Sequence, residues 1–194
     1  MSARGREQER KILMKKRNIF FAVMSIIVIL GINVFWFYSQ IWYRGGYGGT
    51  RKEELEENFL ASFPQQEYEA ISYAEHGNTI VYLGETVGGT GNYAIYLKSM
   101  FFDRWGRVER QPLSGNTYPN IMVMAEPMWG RIYLSLNHRR IVKAVVTEDG
   151  VSREITVDPD KPLVVITDYE IDEIYFLTEN GKKIRGDCFE NSAF

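Results

Sequence analysis

Cysteine and histidine are almost missing from this 194-residue chain, which has one Cys (Cys188) and two His (His76 and His138). A lone cysteine excludes an internal disulfide and any thiolate metal cage. The histidines sit in separate turn-like stretches, Glu75-His76-Gly77-Asn78 and Asn137-His138-Arg139-Arg140. Neither belongs to a spaced ligand set, so both read as solvated turn residues. Proline is scarce as well, with six residues, and 17 glycines are too few for a low-complexity chain. No Gly-x-Ser-x-Gly occurs, and no glycine cluster carries the lysine of a phosphate loop. Cys188 in Gly186-Asp187-Cys188-Phe189 could act as a nucleophile only with a histidine close in space. As a lone thiol it reads as buried or inert.

Apolar residues make up 45% of the chain and charged residues 25%, enough for a packed core. The near-neutral total of −2 hides a strong asymmetry. Residues 1–43 hold seven basic residues (Arg4, Arg6, Arg10, Lys11, Lys15, Lys16, Arg17) against Glu7 and Glu9, a net +5. The remainder has 16 basic and 23 acidic residues, a net −7. Such a split points to a membrane boundary and away from nucleic acid.

No charge occurs from Asn18 to Tyr43, and Ile19 to Phe37 is apolar but for Ser25 and Asn33. A run of this length reaches the roughly 20 residues a helix needs to cross a bilayer. Trp36, Tyr38, Trp42 and Tyr43 follow as interfacial aromatics. Lys15, Lys16 and Arg17 precede the run, so the positive-inside rule sets the N-terminus in the cytoplasm and residues 44–194 outside. The alternative, a cleaved signal peptide, calls for a shorter apolar run that ends in small residues, whereas this one ends in Phe, Trp and Tyr. Asn33 is either a tolerated polar residue or a hydrogen-bonding contact to another helix.

Arg44 to Gly49 holds four glycines and reads as a flexible joint. Thr50-Arg51-Lys52-Glu53 matches a capping box opening a short helix that ends at Pro64, with Leu55, Phe59 and Leu60 on its apolar face. From Glu67 the period changes to two. Strands are expected at Ala70–Tyr73, Thr79–Leu83, Tyr93–Met100, Val108–Gln111, Ile121–Ala125, Ile132–Leu136, Val142–Thr147, Val151–Val157, Leu163–Thr167, Glu173–Thr178 and Lys182–Ile184. Asp149-Gly150 and Asn180-Gly181 are hairpin turns, and the glycine-rich stretch 84–92 reads as a long hairpin loop. The reading is a mainly β chain in four segments. These are a basic tail (1–17), a transmembrane helix (18–43), a joint with a short helix (44–66), and a β-sandwich, immunoglobulin-like in shape, over 67–194.

Stretches 70–83, 129–146 and 173–184 carry a resemblance to small membrane-anchored or secreted proteins of Gram-positive bacteria with an extracellular β-rich domain. The likeness spans about 67–185 as a pattern of strands and turns. What it implies is the fold and the location at the cell membrane.

Two further features stand out. Asp168, Glu170 and Asp172 alternate, and on an extended segment they would share one face as a cation candidate, against the plainer reading of an acidic solvated loop. Phe101, Phe102, Arg104, Trp105 and Arg107, with Trp129 and Arg131, place aromatics beside arginine twice in a Trp-Gly-Arg triplet. Exposed residues of these types favour partner binding, and the competing role is core packing. The expectation is therefore a non-enzymatic extracellular interaction or accessory module on a single span, without catalytic residues, cofactor or metal, that binds a protein or envelope partner. The alternatives are an extracellular hydrolase using Asp and Glu, or an immunity or sensor protein against an external peptide.

Overall fold

The computed structural model describes residues 3–44, 47–49, 51–99, 104–113 and 121–185. It divides into two compact units, Met1–Tyr43 and Arg44–Phe194.

The first unit consists of helix α1, Ala3–Arg44. Its stretch Met14–Phe35 is long and apolar enough to cross a membrane, and none of it is buried. Those 22 residues span about 33 Å at roughly 1.5 Å per residue, against a hydrocarbon core of about 30 Å. The two polar side chains of its charge-free part, Ile19–Phe35, bond to their own helix. Ser25 Oγ donates to the Phe21 carbonyl at 2.8 Å and Asn33 Nδ2 to that of Ile29 at 2.8 Å. Internal satisfaction of this kind suits an environment without water.

The second unit is mainly β, and every strand pair in it is antiparallel. One sheet has the order β1 (Tyr47–Gly49), β5 (Trp105–Leu113), β4 (Gly91–Lys98), β3 (Thr79–Thr86), β2 (Tyr68–His76). A second runs β10 (Leu163–Thr167), β7 (Gly130–Ser135), β6 (Met122–Glu126). The third runs β12 (Lys183–Arg185), β11 (Glu173–Thr178), β8 (Ile141–Glu148), β9 (Val151–Thr156). All eleven strands expected from periodicity are present, with ends shifted by a few residues. Both central residues of the Asp149-Gly150 turn have positive φ, 50° and 73°, as a type I′ hairpin requires.

The three sheets stack. Ile132, Leu134 and Ile166 of the three-stranded sheet meet Val81, Leu83, Tyr93 and Ile95 of the five-stranded one. On the opposite face, Tyr133, Leu163 and Val165 meet Ala144, Val146, Ile174 and Phe176. The register explains the split, since paired residues share a face: Ile166 lies opposite Ile132, and Val165 opposite Tyr133. Sequence reading anticipated the β content and more than one sheet; the middle layer, covered on both sides, is the new feature. Asn137 ties the connection between the middle and third sheets. It is buried, with φ 60°. Its Nδ2 donates to the carbonyls of Ile141 (3.2 Å) and Asp158 (3.0 Å), and its Oδ1 accepts the Ile141 N–H (2.7 Å).

Helix α2, Lys52–Ser62, covers the outer face of the first sheet. Leu55 and Phe59 are fully buried against Ile80, Tyr82, Ala94, Tyr96 and Trp105, while Leu60 is 40% exposed. The helix starts one residue later than the capping box implied. Its N-cap is Arg51, whose side chain has no acceptor to offer, and Glu54 Oε2 accepts the Arg51 N–H at 3.5 Å. Thr50 lies outside the described residues.

The glycine joint also differs from expectation. Tyr47–Gly49 pairs with Trp105 and Gly106 as an edge strand. A Cβ on Gly48 would lie 2.7 Å from the Tyr96 ring, so glycine serves close packing here, not freedom. Packing thus places 44–66 with the β unit, ahead of the composition change at residue 67. A fragment 67–194 should aggregate or unfold where 44–194 stays soluble. In 44–194, Phe59→Ala should lower the urea unfolding free energy by about 3–5 kcal/mol, and Leu60→Ala by no more than about 0.5 kcal/mol.

The same layer makes an alkaline prediction. Burial pushes the Tyr82 phenol up to about 12 and raises Tyr93 and Tyr96 further. Unfolded tyrosines release their protons near pH 10 while the native ones keep theirs, so the native state binds more protons above about pH 10. Stability is then complete below about pH 10 and falls as pH rises toward 12. Tyr82→Phe should flatten that fall in pH-dependent urea titrations; an unchanged slope would show that Tyr82 contributes nothing to it.

Candidate functional site

The two Trp-Gly-Arg triplets occupy unlike places. Trp105 opens β5 with only 4% of its surface exposed, in the cluster beneath α2. It is not an edge ring: Lys98 lies opposite it on β4, and Gly49 of β1 pairs with it from the other side. Arg107 is turned onto α2. Its Nη1 donates to Asn58 Oδ1 at 3.2 Å and to Ser62 Oγ, and the Tyr96 hydroxyl donates to the same Asn58 oxygen at 3.0 Å. Burial pulls its guanidinium below the usual arginine value. Arg104 is exposed just before β5. Phe101 and Phe102 lie outside the described residues, as does Cys188.

Trp129 is half-buried in the turn from β6 to β7 and packs on the interface between the first two sheets. Its turn depends on Gly130, whose φ is +83° and where a Cβ would lie 2.1 Å from the Thr167 carbonyl oxygen. Any side chain there would push β7 away from β10.

This turn gathers a rim of polar groups that the sequence kept apart. His76, the last residue of β2, contacts Asp168 through Nε2 and Oδ1 at 2.9 Å. Thr79 Oγ1 donates to the Trp129 carbonyl at 3.5 Å. Arg131 Nε donates to the Tyr169 carbonyl at 2.8 Å. Three connections are thus held at one end of the stack: the β2–β3 turn, the β6–β7 turn and the segment after β10. Met128 and Tyr169 are exposed beside them, by 52% and 41%. His76 is therefore a paired histidine, unlike the solvated turn residue expected. His138 also faces a carboxylate, Glu85 Oε1 at 3.6 Å.

The acidic run does not form a shared face. Residues 168–172 bend instead of extending. Asp168 faces His76, and Asp172 Oδ2 accepts the Gly150 N–H at 3.0 Å. Among the described residues no group of three or more His, Cys, Asp or Glu is placed to hold a metal ion. The glycine-rich stretch 84–92 is shorter as a loop than expected: 84–86 end β3 and 91–92 open β4, which leaves a tight hairpin loop at 87–90, closed by Thr86 and Thr90, whose hydroxyls lie 2.8 Å apart. A separate open cleft of about 270 Å³ lies between β2 and β9, walled by Ile71, Tyr73, Ile155, Val157 and Val164.

Sequence reasoning missed the rim because its members lie far apart along the chain. The available signal was local: Gly130 after Trp129, and an aspartate directly after the strand Leu163–Thr167. When the chain is compared with known proteins, no family model, no curated protein and no solved structure matches it.

The different placements predict different mutational costs. Trp105→Ala should remove about 3–5 kcal/mol of unfolding free energy, as loss of a buried ring does. Arg131→Ala, at a partly exposed position, should stay within about 1 kcal/mol. Urea denaturation of residues 44–194 measures both.

Proposed function

We propose that this chain is a single-pass membrane protein with a cytoplasmic N-terminus, and that residues 44–194 form an extracellular, non-enzymatic interaction or accessory module. The observation that carries the reading is Met14–Phe35, an apolar helix with no buried residue. Its N-terminal end carries Lys15, Lys16 and Arg17, and a folded β unit follows it in the chain. A helix of that composition has no stable place in water, and the basic flank sets its direction. The stacked, facing sheets support a sandwich-type build of the immunoglobulin-like kind for the outer domain.

The partner surface we assign is the rim around the β6–β7 turn. Met128 and Tyr169 supply exposed apolar area, Arg131 bonds to the Tyr169 carbonyl, and the partly buried Trp129 packs on the core beneath. Aromatic and arginine side chains of this kind are the usual anchors of protein interfaces. Trp105 and Arg107, turned inward, have no part in this surface.

Protease added to intact cells should remove the β domain and leave a small membrane-bound remnant; complete protection would overturn the topology. Cross-linking in native membranes should then capture a partner that Tyr169→Ala with Arg131→Ala loses, while the thermal midpoint stays unchanged. Equal capture by that variant would remove the rim from the proposal.

A further inference from the structure

We infer that α1, just ahead of its apolar stretch, is a binding segment for the headgroups of anionic lipids. The inference rests on reading the charge-free part of Met14–Phe35, from Asn18 onward, as a membrane span. The net charge of the N-terminal region is unevenly placed. Residues 10–17 contain Arg10, Lys11, Lys15, Lys16 and Arg17 and no acid. Residues 1–9 contain Arg4 and Arg6 balanced by Glu7 and Glu9. The whole excess of positive charge therefore belongs to the eight residues that adjoin the apolar run.

Helix α1 is continuous from Ala3 to Arg44, so the distance of each charge from the apolar edge is fixed by helical rise. At about 1.5 Å per residue, Arg10 and Lys11 lie roughly 9–11 Å along the axis from Arg17. Arg6 and Arg4 lie roughly 17–20 Å from it. The Debye length in physiological salt is about 8 Å. Lys15, Lys16 and Arg17 thus fall within one screening length of the apolar edge and Arg10 and Lys11 slightly beyond one, whereas Arg4 and Arg6 lie about two or more away and are balanced by Glu7 and Glu9. Lysine and arginine stems can lie along apolar surface with their heads among the phosphates. A basic segment so close to a span is complementary to an anionic leaflet, at roughly fivefold in affinity per basic residue near the surface. A nucleic acid would have no reason to require the charges crowded against the apolar edge.

The test uses the full chain reconstituted in phosphatidylcholine vesicles with trace spin-labelled phosphatidylglycerol or spin-labelled phosphatidylcholine. Electron spin resonance then reads the selectivity of the lipid shell held by the protein. We expect several-fold preference for phosphatidylglycerol at about 0.1 M salt, and its collapse at about 1 M, where the screening length is about 3 Å. The variant R10Q/K11Q/K15Q/K16Q/R17Q should lose the preference, and R4Q/R6Q should keep it. Preference unchanged in the five-site variant, or lost equally in R4Q/R6Q, overturns the inference. Carbonate extraction of the same vesicles separates the two readings. A chain that stays in the membrane without lipid preference refutes the lipid segment alone. A chain washed out by carbonate refutes the span and this inference with it.

Discussion

Burial of one short sheet on both of its faces is the constraint that the β unit is built around. Strands β10 and β7 are buried on both faces: Ile132 and Leu134 point one way into the first core, and Tyr133 between them points into the second. A strand of this kind cannot alternate apolar and polar residues, and β10 accordingly reads Leu-Val-Val-Ile. Each fully buried aliphatic side chain contributes on the order of 1.5–3 kcal/mol by leaving water. The two outer sheets are therefore held mainly through what they share with the middle one. Remove the middle sheet, and neither outer sheet has a partner for its inner face.

The first sheet carries a second demand, because both of its faces are apolar as well. Ile80-Val81-Tyr82-Leu83 sends Val81 and Leu83 inward and Ile80 and Tyr82 outward. That outward face needs a cover, and α2 provides it through Leu55 and Phe59. Space is the limit at this point. Tyr96 fills the ground between α2 and β1, and a strand could approach it only without a side chain, which accounts for Gly48. Polar groups at the helix edge fix its position: the Tyr96 hydroxyl and Arg107 share Asn58, and Arg110 Nη1 donates to the Ser62 carbonyl at 3.2 Å. A segment that reads as a loose tether is thereby part of the packed unit.

Much of this was legible in the sequence, and the misses have physical reasons. Hairpin order came through because it is local: β2 to β5 form a meander, and turns such as Asp149-Gly150 announce themselves by their need for positive φ. The apolar helix was legible by length and lack of charge. The third layer was written in the unbroken apolar runs of β3, β4, β7 and β10, which signal burial on two faces, but a period-two search treats such runs as ordinary strands. Strand β1 was missed because three residues with two glycines carry no strand propensity; they pair because β5 presents a free edge and Tyr96 leaves room for nothing larger. Of the candidate contact residues, Trp129 and Arg131 could be placed near a turn from Gly130. Trp105 and Arg107 could not be placed, since only the position of α2 decides that they face inward.

The rim at the β6–β7 turn follows from the same layering. Where sheets stack, their side faces are closed by backbone hydrogen bonds and apolar contact, and chemistry is left to the ends, where turns from different sheets meet. Gly130 sets how near β7 can come to Thr167, and that closeness brings the segment after β10 within reach of the end of β2. His76 and Asp168, 92 positions apart, then stand 2.9 Å from each other. His76 ends a strand of the first sheet and Asp168 follows a strand of the second, so their contact joins the two layers at their end. A surface formed in this way is rigid beneath and varied on top. Its backbone is fixed by the glycine approach, while Arg131 Nε donates to the Tyr169 carbonyl at the surface and Met128 and the Tyr169 ring remain open to solvent. Partner recognition favours that combination, because little conformational freedom remains to be lost when a second molecule arrives.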